Sequence, residues 1–440
     1  MSDVTIENEL VLPCGVRIKN RLCKAAMTEG LADPANRATT KHQTLYGRWA
    51  DGGAGILLTG NVQVDHRYLE RPGNVVIEGP QSNEQISALR AYAEAGTRND
   101  THLWMQISHA GRQTPRTINE TPIGPSDIRL DMPGNLFGTP RPMLEDEILD
   151  VIARFAHVAN VAKQTGFTGV QIHGAHGYLI SEFLSPDINT RTDRWGGSLE
   201  NRARLLLETV RAVRAQVGPD FPVAVKMNSA DFQKGGFDEG DAVTVAGWLA
   251  DAGLDMLEIS GGTYERPALI GADEITLNPD RLEARRESTI AREAYFLDYA
   301  GKIRDAIADR DMVLLVTGGF RTRAGMDAAL ASGGCDIVGL GRPLCAVPDG
   351  PNGLLDGSLP ALPIFEKMLK FGPLRHDAKI KIFMLLNQAL QQNWFYRQIG
   401  VMGDGFAPDS KGGKPFSSMI KQMRIEGKAA KAHKAYWDSQ

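Results

Sequence analysis

Short apolar runs alternate along this chain with longer stretches in which apolar residues recur every three or four positions. Eight runs stand out, at 22–27, 55–60, 103–107, 169–173, 222–227, 256–259, 312–317 and 336–340. A strand buried on both faces reads this way, because neither face meets water. The intervening stretches have helical spacing. In 145–165, Ile148, Ile152, Phe155, Ala159 and Ala162 share one face, and Gly166 follows as a C-cap. In 198–217, Ser198 is placed as an N-cap ahead of Leu199, Ala203, Leu206, Val210 and Val213. Segments 241–252, 289–308 and 322–333 repeat the pattern. Eight strand–helix units in succession predict an α/β fold, a TIM (β/α)8 barrel. A doubly wound sheet is the alternative, but no G-x-G-x-x-G follows the first strand, and eight units close a barrel.

Three stretches fall outside the bare barrel. Segment 10–18, broken at Pro13-Cys14-Gly15, reads as an N-terminal hairpin that plugs the bottom. Segment 110–143 is rich in Pro, Gly and Thr and reads as a long loop over the top. Residues 351–440 form a C-terminal helical extension to a barrel of residues 1–350, packed on that barrel or on a neighbouring subunit. Its helical part carries Leu385, Leu386, Leu390, Trp394 and Phe395, and from Lys411 it turns basic. The bland reading of that end is a solvated helix; a membrane-surface or partner-binding role is the weaker one. The hairpin and the aromatic helix suggest a homo-oligomer without fixing the number of subunits.

Composition narrows the class. Of 440 residues, 42% are hydrophobic and 23% charged, as in soluble globular proteins, and a net charge of −4 gives nucleic acid no purchase. Residues 1–12 hold Asp3, Glu7 and Glu9 and no cationic stretch before an apolar run, so no signal peptide is read. No apolar run is long enough to span a bilayer. The four cysteines, Cys14, Cys23, Cys335 and Cys345, form no C-x-x-C pair, and reduced thiols in a cytoplasmic protein are expected rather than a zinc or iron–sulfur site.

Candidate chemistry lies where the strands end, since a TIM barrel places its site at their C-terminal ends. The fourth run leads into His173-Gly174-Ala175-His176-Gly177-Tyr178. Two imidazoles can hold and polarise one carbonyl oxygen, and a phenol can deliver a proton. The seventh run ends in Thr317-Gly318-Gly319-Phe320-Arg321 and the eighth in Gly339-Leu340-Gly341-Arg342. Glycines let backbone N–H groups approach an anion, and Arg342 adds a charged fork, so these loops read as a phosphate site. Gln106 at the third run and Lys226 at the fifth suit a flat, heteroatom-rich ring, Gln106 pairing with an imide edge and Lys226 lying where negative charge develops. The whole describes flavin mononucleotide (FMN). Metal ligation by His173 and His176 is the weaker reading, because no Asp or Glu shares their loop, Glu182 being nearest, and His102, His109 and His157 are scattered. No metal is expected.

These motifs together resemble the Old Yellow Enzyme family of FMN-dependent ene-reductases. The likeness runs from about Leu10 to Leu344, through Asn20-Arg21-Leu22, Ala26-Met27-Thr28, Gln106-Ile107-Ser108-His109-Ala110-Gly111-Arg112, the His173–Tyr178 segment, Phe183-Leu184-Ser185-Pro186, Asn189-Thr190-Arg191-Thr192-Asp193, Gly196-Gly197-Ser198-Leu199-Glu200-Asn201-Arg202 and Gly339–Arg342. The resemblance implies that Ala26, Met27 and Thr28 lie along the flavin, with Thr28 near its O4. It implies that Gly60 lets the ring approach the second strand, that Gln106 and Lys226 bind its pyrimidine edge, and that Gly318, Gly319, Gly341 and Arg342 hold the phosphate. His173 and His176 then grip the substrate carbonyl, and Tyr178 is the proton donor. Ala26 replaces a Pro common in relatives, Thr28 stands where one subgroup has a flavin-tuning Cys, and Lys226 replaces an Arg, keeping charge but losing the planar fork. The branches of the family with an iron–sulfur cluster are not matched by these cysteines.

The activity implied is hydride transfer from NADH or NADPH through FMN to the β-carbon of an α,β-unsaturated carbonyl or related alkene. The alternatives are an FMN-dependent dehydrogenase or demethylase on the same barrel, a flavin-free barrel acting as scaffold, and, more distantly, a metal-dependent hydrolase. Tyr68, Tyr264 and Phe320 are candidate pocket residues or loop packing. Residues alone do not choose the substrate or between NADH and NADPH, and the 261–290 loop and the extension carry no readable motif.

Overall fold

The structure is a computed structural model, and it describes residues 4–130, 132, 135–231, 236–260, 299–369 and 381–440. Eight strands close into a parallel barrel: β1 (Leu22–Lys24), β2 (Ile56–Gln63), β3 (His102–Ser108), β4 (Gly169–Gly174), β5 (Val223–Asn228), β6 (Met256–Ser260), β7 (Val313–Thr317) and β8 (Ile337–Leu340). Each pairs with its successor and β8 returns to β1. Period-two alternation explains the two-sided burial. Ile56, Leu58, Trp104, Ala224, Met256, Val313, Leu315 and Ile337 face inward as one cluster. Leu57, Leu103, Met105, Val170, Val225, Leu257, Leu314 and Val316 face the surrounding helices in another. Volume is matched across the interior: Trp104 is the register partner of Gly169, where a Cβ would lie 2.7 Å from the indole.

The surrounding helices include α1 (Thr40–Asp51), α2 (Asn83–Gly96), α3 (Glu145–Gln164), α4 (Leu179–Leu184), α5 (Leu199–Val217), α6 (Glu239–Asp251) and α7 (Arg323–Ala331). Their ends follow the expected capping chemistry. Ser198 accepts from the Asn201 amide at the start of α5, and Gly218, at φ +80°, ends it. The 261–290 loop, Tyr264 and the first part of the 289–308 segment lie outside the described residues.

The N-terminal hairpin pairs Leu10–Val11 with Arg17–Ile18 in antiparallel register. Leu12 and Ile18 enter the inner cluster, and the Cys14 amide donates to Asp255 Oδ1 at 3.1 Å, just ahead of β6. The hairpin therefore closes the bottom of the barrel. Segment 110–143 lies at the opposite end and contains two short paired strands, Ile123–Gly124 and Arg141–Pro142.

Beyond β8, short helices Gly350–Leu355 and Phe365–Met368 precede α8 (Lys381–Gly403) and α9 (Pro415–Trp437). Leu390 and Trp394 are buried, whereas the side chain of Leu385 is outside the described set. The rings of Phe365 and Trp394 lie 5.4 Å apart. The end of α9 reaches the barrel rim. His433 Nδ1 and Trp437 Nε1 each lie 2.9 Å from Asn36 Oδ1 in the loop after β1. Trp437 stacks on His66 at 3.7 Å, and Arg71, after β2, pairs with Glu426 and covers the Tyr396 ring. Among the described residues no helix is long and apolar enough to cross a membrane.

Candidate active site

The chain at the end of β4 turns sharply. His176 adopts φ +62° and Gly177 φ +77°, so two successive left-handed residues send Tyr178 to the start of α4. A non-glycine residue holds that conformation only under restraint. Here the His176 amide donates to Asn228 Oδ1 at 3.1 Å, and Gln113 Nε2 donates to the His176 carbonyl at 2.6 Å. The turn brings together the three side chains read from the sequence. The His173 ring is 5.2 Å from that of His176 and 4.8 Å from that of Tyr178, both edge-on.

Both imidazoles are neutral. Burial pushes the pKa of His173 well below the usual value, and His176 and the Lys226 ammonium add to this. His176 moves the same way, by burial first and Lys226 second. The Ala175 amide donates to His173 Nδ1 at 3.2 Å, which places the His173 proton on Nε2 and makes that atom a donor. His176 Nε2 lies 2.7 Å from Ser260 Oγ. When it accepts from that hydroxyl, Nδ1–H is its donor. A pair of neutral N–H donors suits a carbonyl oxygen.

Beneath them a polar layer crosses the barrel. Gln106 Nε2 donates to Gln171 Oε1 at 2.7 Å, Gln171 Nε2 donates to Glu258 Oε2 at 2.8 Å, and Glu258 Oε1 pairs with Lys226 Nζ at 2.8 Å. All four side chains are buried. Gln171 and Glu258 were missed because their strands read as apolar runs. The signal was present in the register: Gln106 pairs with Gln171, and Lys226 with Glu258, at one depth on adjacent strands.

Ala26, Met27 and Thr28 continue β1 into the mouth. Ala26 packs against the inner cluster, Met27 lies 3.4 Å from the Cys345 sulfur, and Thr28 Oγ1 accepts from Asn74 Nδ2 at 3.3 Å. Gly60 sits where the β2–β3 register shifts. Its amide donates to Glu29 Oε1 at 2.8 Å, and a Cβ there would meet Glu29 Oε2 at 2.2 Å and the Met27 carbonyl at 2.6 Å. Glu29 thus lies where a side chain at position 60 would be, so that position has to be glycine. Its carboxylate also bonds the buried Tyr46 phenol, whose oxygen lies 3.3 Å from Lys24 Nζ. Nothing in the residues around Thr28 signals this role for Glu29.

The loops after β7 and β8 lie side by side, because Thr317 and Gly339 are register partners. Gly319 has φ +74°, which favours glycine, and Gly318 precedes it in the same turn. The ensuing helix α7 starts at Thr322, whose hydroxyl accepts from the Gly325 amide at 3.1 Å. A Cβ on Gly341 would meet no atom within 4 Å, so the backbone there borders open space. Thr317 Oγ1 is buried and has no hydrogen-bond partner among the described residues. Arg342 and Arg321 converge on the Glu366 carboxylate. An open cradle, an unpartnered hydroxyl and two guanidinium groups already gripping an anion fit the phosphate of FMN. Gln106 and Lys226 bring an amide and an ammonium to the polar layer, where each is held by a neighbour, Gln171 and Glu258.

Among the described residues, the cluster with metal-ligand spacing is Asp65, His66 and Glu78, which does not include His173 or His176. Arg67 and Arg154 pair with its carboxylates. All four cysteines are free thiols.

Comparison with known proteins bears on the family and the fold. The profile of the NADH:flavin oxidoreductase / NADH oxidase family matches residues 14–355. The NADH-dependent flavin oxidoreductase iliE of Neonectria sp. (strain DH2) is 36% identical over 91% of this chain and 52% of its own length. The chain thus spans about half of that relative. The iliE protein of Hypocrea jecorina (strain QM6a) is 34% identical over 91% of this chain and 97% of its own. Among solved structures, a 2-naphthoyl-CoA reductase complex superposes with a TM-score of 0.70 at 26% identity, covering 82% of this chain and 54% of the other. The old yellow enzyme homologue of Zymomonas mobilis shares the fold at TM-score 0.66 and 24% identity, over 82% of this chain and 96% of the other.

Proposed function

The chain belongs to the NADH:flavin oxidoreductase / NADH oxidase family, and from that premise we propose that it is an FMN-dependent ene-reductase acting on α,β-unsaturated carbonyl compounds or related activated alkenes. The observation that carries this reading is the group of two neutral imidazoles and a phenol at the end of β4, His173 and Tyr178 buried and His176 partly so. Bound FMN supplies the hydride, which it takes from NADH or NADPH. The protein's part is binding, orientation and proton handling. Gln106 and Lys226 hold the pyrimidine edge, Ala26, Met27, Thr28 and Gly60 border the ring, and Gly318, Gly319, Gly341 and Arg342 hold the phosphate.

His173 donates from Nε2 and His176 from Nδ1 to the substrate carbonyl oxygen, whose negative charge grows as the β-carbon accepts hydride. Preorganised donors in a buried site need no reorientation at that moment. Neutral imidazoles suit this task, because they give hydrogen bonds without the cost of burying charge. Tyr178 delivers the proton to the α-carbon; an ordinary phenol, with a pKa of about 10, carries that proton at neutral pH. Barrel and extension act as one enzyme, the barrel of residues 1–350 bearing the chemistry.

The test is the visible spectrum of the purified protein under anaerobic conditions. Oxidised-flavin absorbance should bleach with NADH or NADPH and return on adding cyclohexenone. Bleaching without return, with turnover of a saturated or amine substrate and an external acceptor, would favour the dehydrogenase reading. A colourless protein that takes up no FMN would remove the reading altogether.

A further inference from the structure

We propose that Glu366, carried by the C-terminal extension, occupies the arginine pair that receives the cofactor's phosphate, so that FMN binding displaces it and couples cofactor loading to the seating of the extension. The inference rests on the flavin reading above. Arg342 Nη1 and Arg321 Nη2 both reach the same atom, Glu366 Oε1, at 2.8 and 3.2 Å. These are the arginines of the loops after β7 and β8, beside Gly319 and Gly341. Glu366 comes from the short helix Phe365–Met368, outside the barrel proper.

The segment before that helix is tied to the cradle. The Leu362 amide donates to the Arg321 carbonyl at 2.7 Å, the Arg323 amide donates to the Pro360 carbonyl at 3.0 Å, and Thr322 bridges Ala361. On its other side the helix is tied to α8, through the Phe365–Trp394 ring contact and Gln391 Nε2 donating to the Glu366 carbonyl at 3.5 Å. Glu366 is ionised: burial pushes its carboxyl up, but Arg342 and Arg321 outweigh that and hold it below the usual range. One carboxylate facing two guanidinium groups is an internal stand-in for a phosphate monoester.

A phosphate bearing close to two negative charges enters this place against the carboxylate's charge. It takes over the guanidinium donors and Glu366 moves off. The carboxylate that has to be displaced weakens FMN binding. By linkage, FMN then loosens the contact that Glu366 makes. Glu366→Gln keeps a carbonyl acceptor for both arginines and removes only the charge.

FMN and riboflavin are titrated into flavin-depleted full-length protein, with quenching of flavin fluorescence as the readout. In Glu366→Gln, FMN should bind about tenfold more tightly, equivalent to about 1.4 kcal/mol, while riboflavin affinity stays unchanged. Glu366→Asp, which keeps the charge, should bind FMN like the wild type. In the wild type, hydrogen exchange across 362–369 should rise with FMN and not with riboflavin, a readout that needs no variant. Unchanged or weaker FMN binding in Glu366→Gln, an equal gain for riboflavin, or exchange indifferent to FMN would overturn the inference. A wild-type protein that binds no FMN would overturn the functional reading itself.

Discussion

At the scale of single residues, the proposed chemistry depends on how burial sets protonation. His173 and His176 are kept neutral by desolvation and by the nearby Lys226, and a backbone amide on His173 Nδ1 selects its tautomer. Tyr178 stands edge-on to His173. Tyr178→Phe keeps the ring and its packing and removes only the hydroxyl. Stopped-flow measurement should show flavin reduction by NAD(P)H within about twofold of wild type. Reoxidation by an enone should slow about 10²–10⁴-fold, the range of a lost general acid. Equal slowing of both half-reactions would mean that Tyr178 shapes the site rather than donating a proton. The three residues were legible because they follow one strand within six positions. Glu29 was not, because it sits in the motif next to Thr28 and its fate depends on Gly60 and Tyr46, distant in sequence.

At the scale of elements, two contacts show how neighbours constrain each other. Gly169 in β4 faces Trp104 in β3 so closely that a methyl group would overlap the indole. Gly169→Ala should cost about 1–3 kcal/mol by overpacking the interior, read as a lower denaturation midpoint with an unchanged urea slope. An undiminished midpoint would show that Trp104 moves freely. The second contact holds α9 to the barrel. Asn36, itself buried at φ +58°, presents one oxygen to both His433 and Trp437. Asn36→Ala leaves those two ring nitrogens without that acceptor. It should cost about 1–3 kcal/mol and expose the end of α9 to limited proteolysis well before the barrel is cut. Simultaneous digestion of both would show that Asn36 does not hold the helix.

At the scale of the whole molecule, histidines make stability depend on pH in one direction. Burial is the leading cause of a lowered pKa at His42, His102, His109, His173, His176 and His433, with His109 and His433 reaching about 4. In the unfolded chain each titrates near 6.5, so below that pH the unfolded state binds protons that the folded state refuses. The stabilisation is present above about pH 6.5 and declines as pH falls, for His109 and His433 until about pH 4. Each such group contributes a slope of up to about 1.4 kcal/mol per pH unit. Asp231, whose carboxyl is raised chiefly by burial, works in the opposite sense. Thermal melts of the FMN-loaded protein should therefore show a midpoint that drops steadily from pH 7 to pH 5. A flat profile over that range would mean that these imidazoles are solvated and titrate normally.

Periodicity alone determined the barrel. Residues buried on both faces must alternate inward and outward, and helices must turn one stripe inward, so the strand positions and the capped ends of α3 and α5 could be read within a few residues. Proximity along the chain likewise revealed the His173–Tyr178 group and the glycine-rich loops of β7 and β8. The tertiary structure alone decided which buried polar groups meet. Lys226 with Glu258, Gly60 with Glu29, and Arg321 and Arg342 with Glu366 join residues that are dozens of positions apart. Hydrophobic burial is local in sequence, because every residue of an element carries the same instruction. Pairing of buried polar groups is a property of the closed barrel, set by strand register and by where the extension lies.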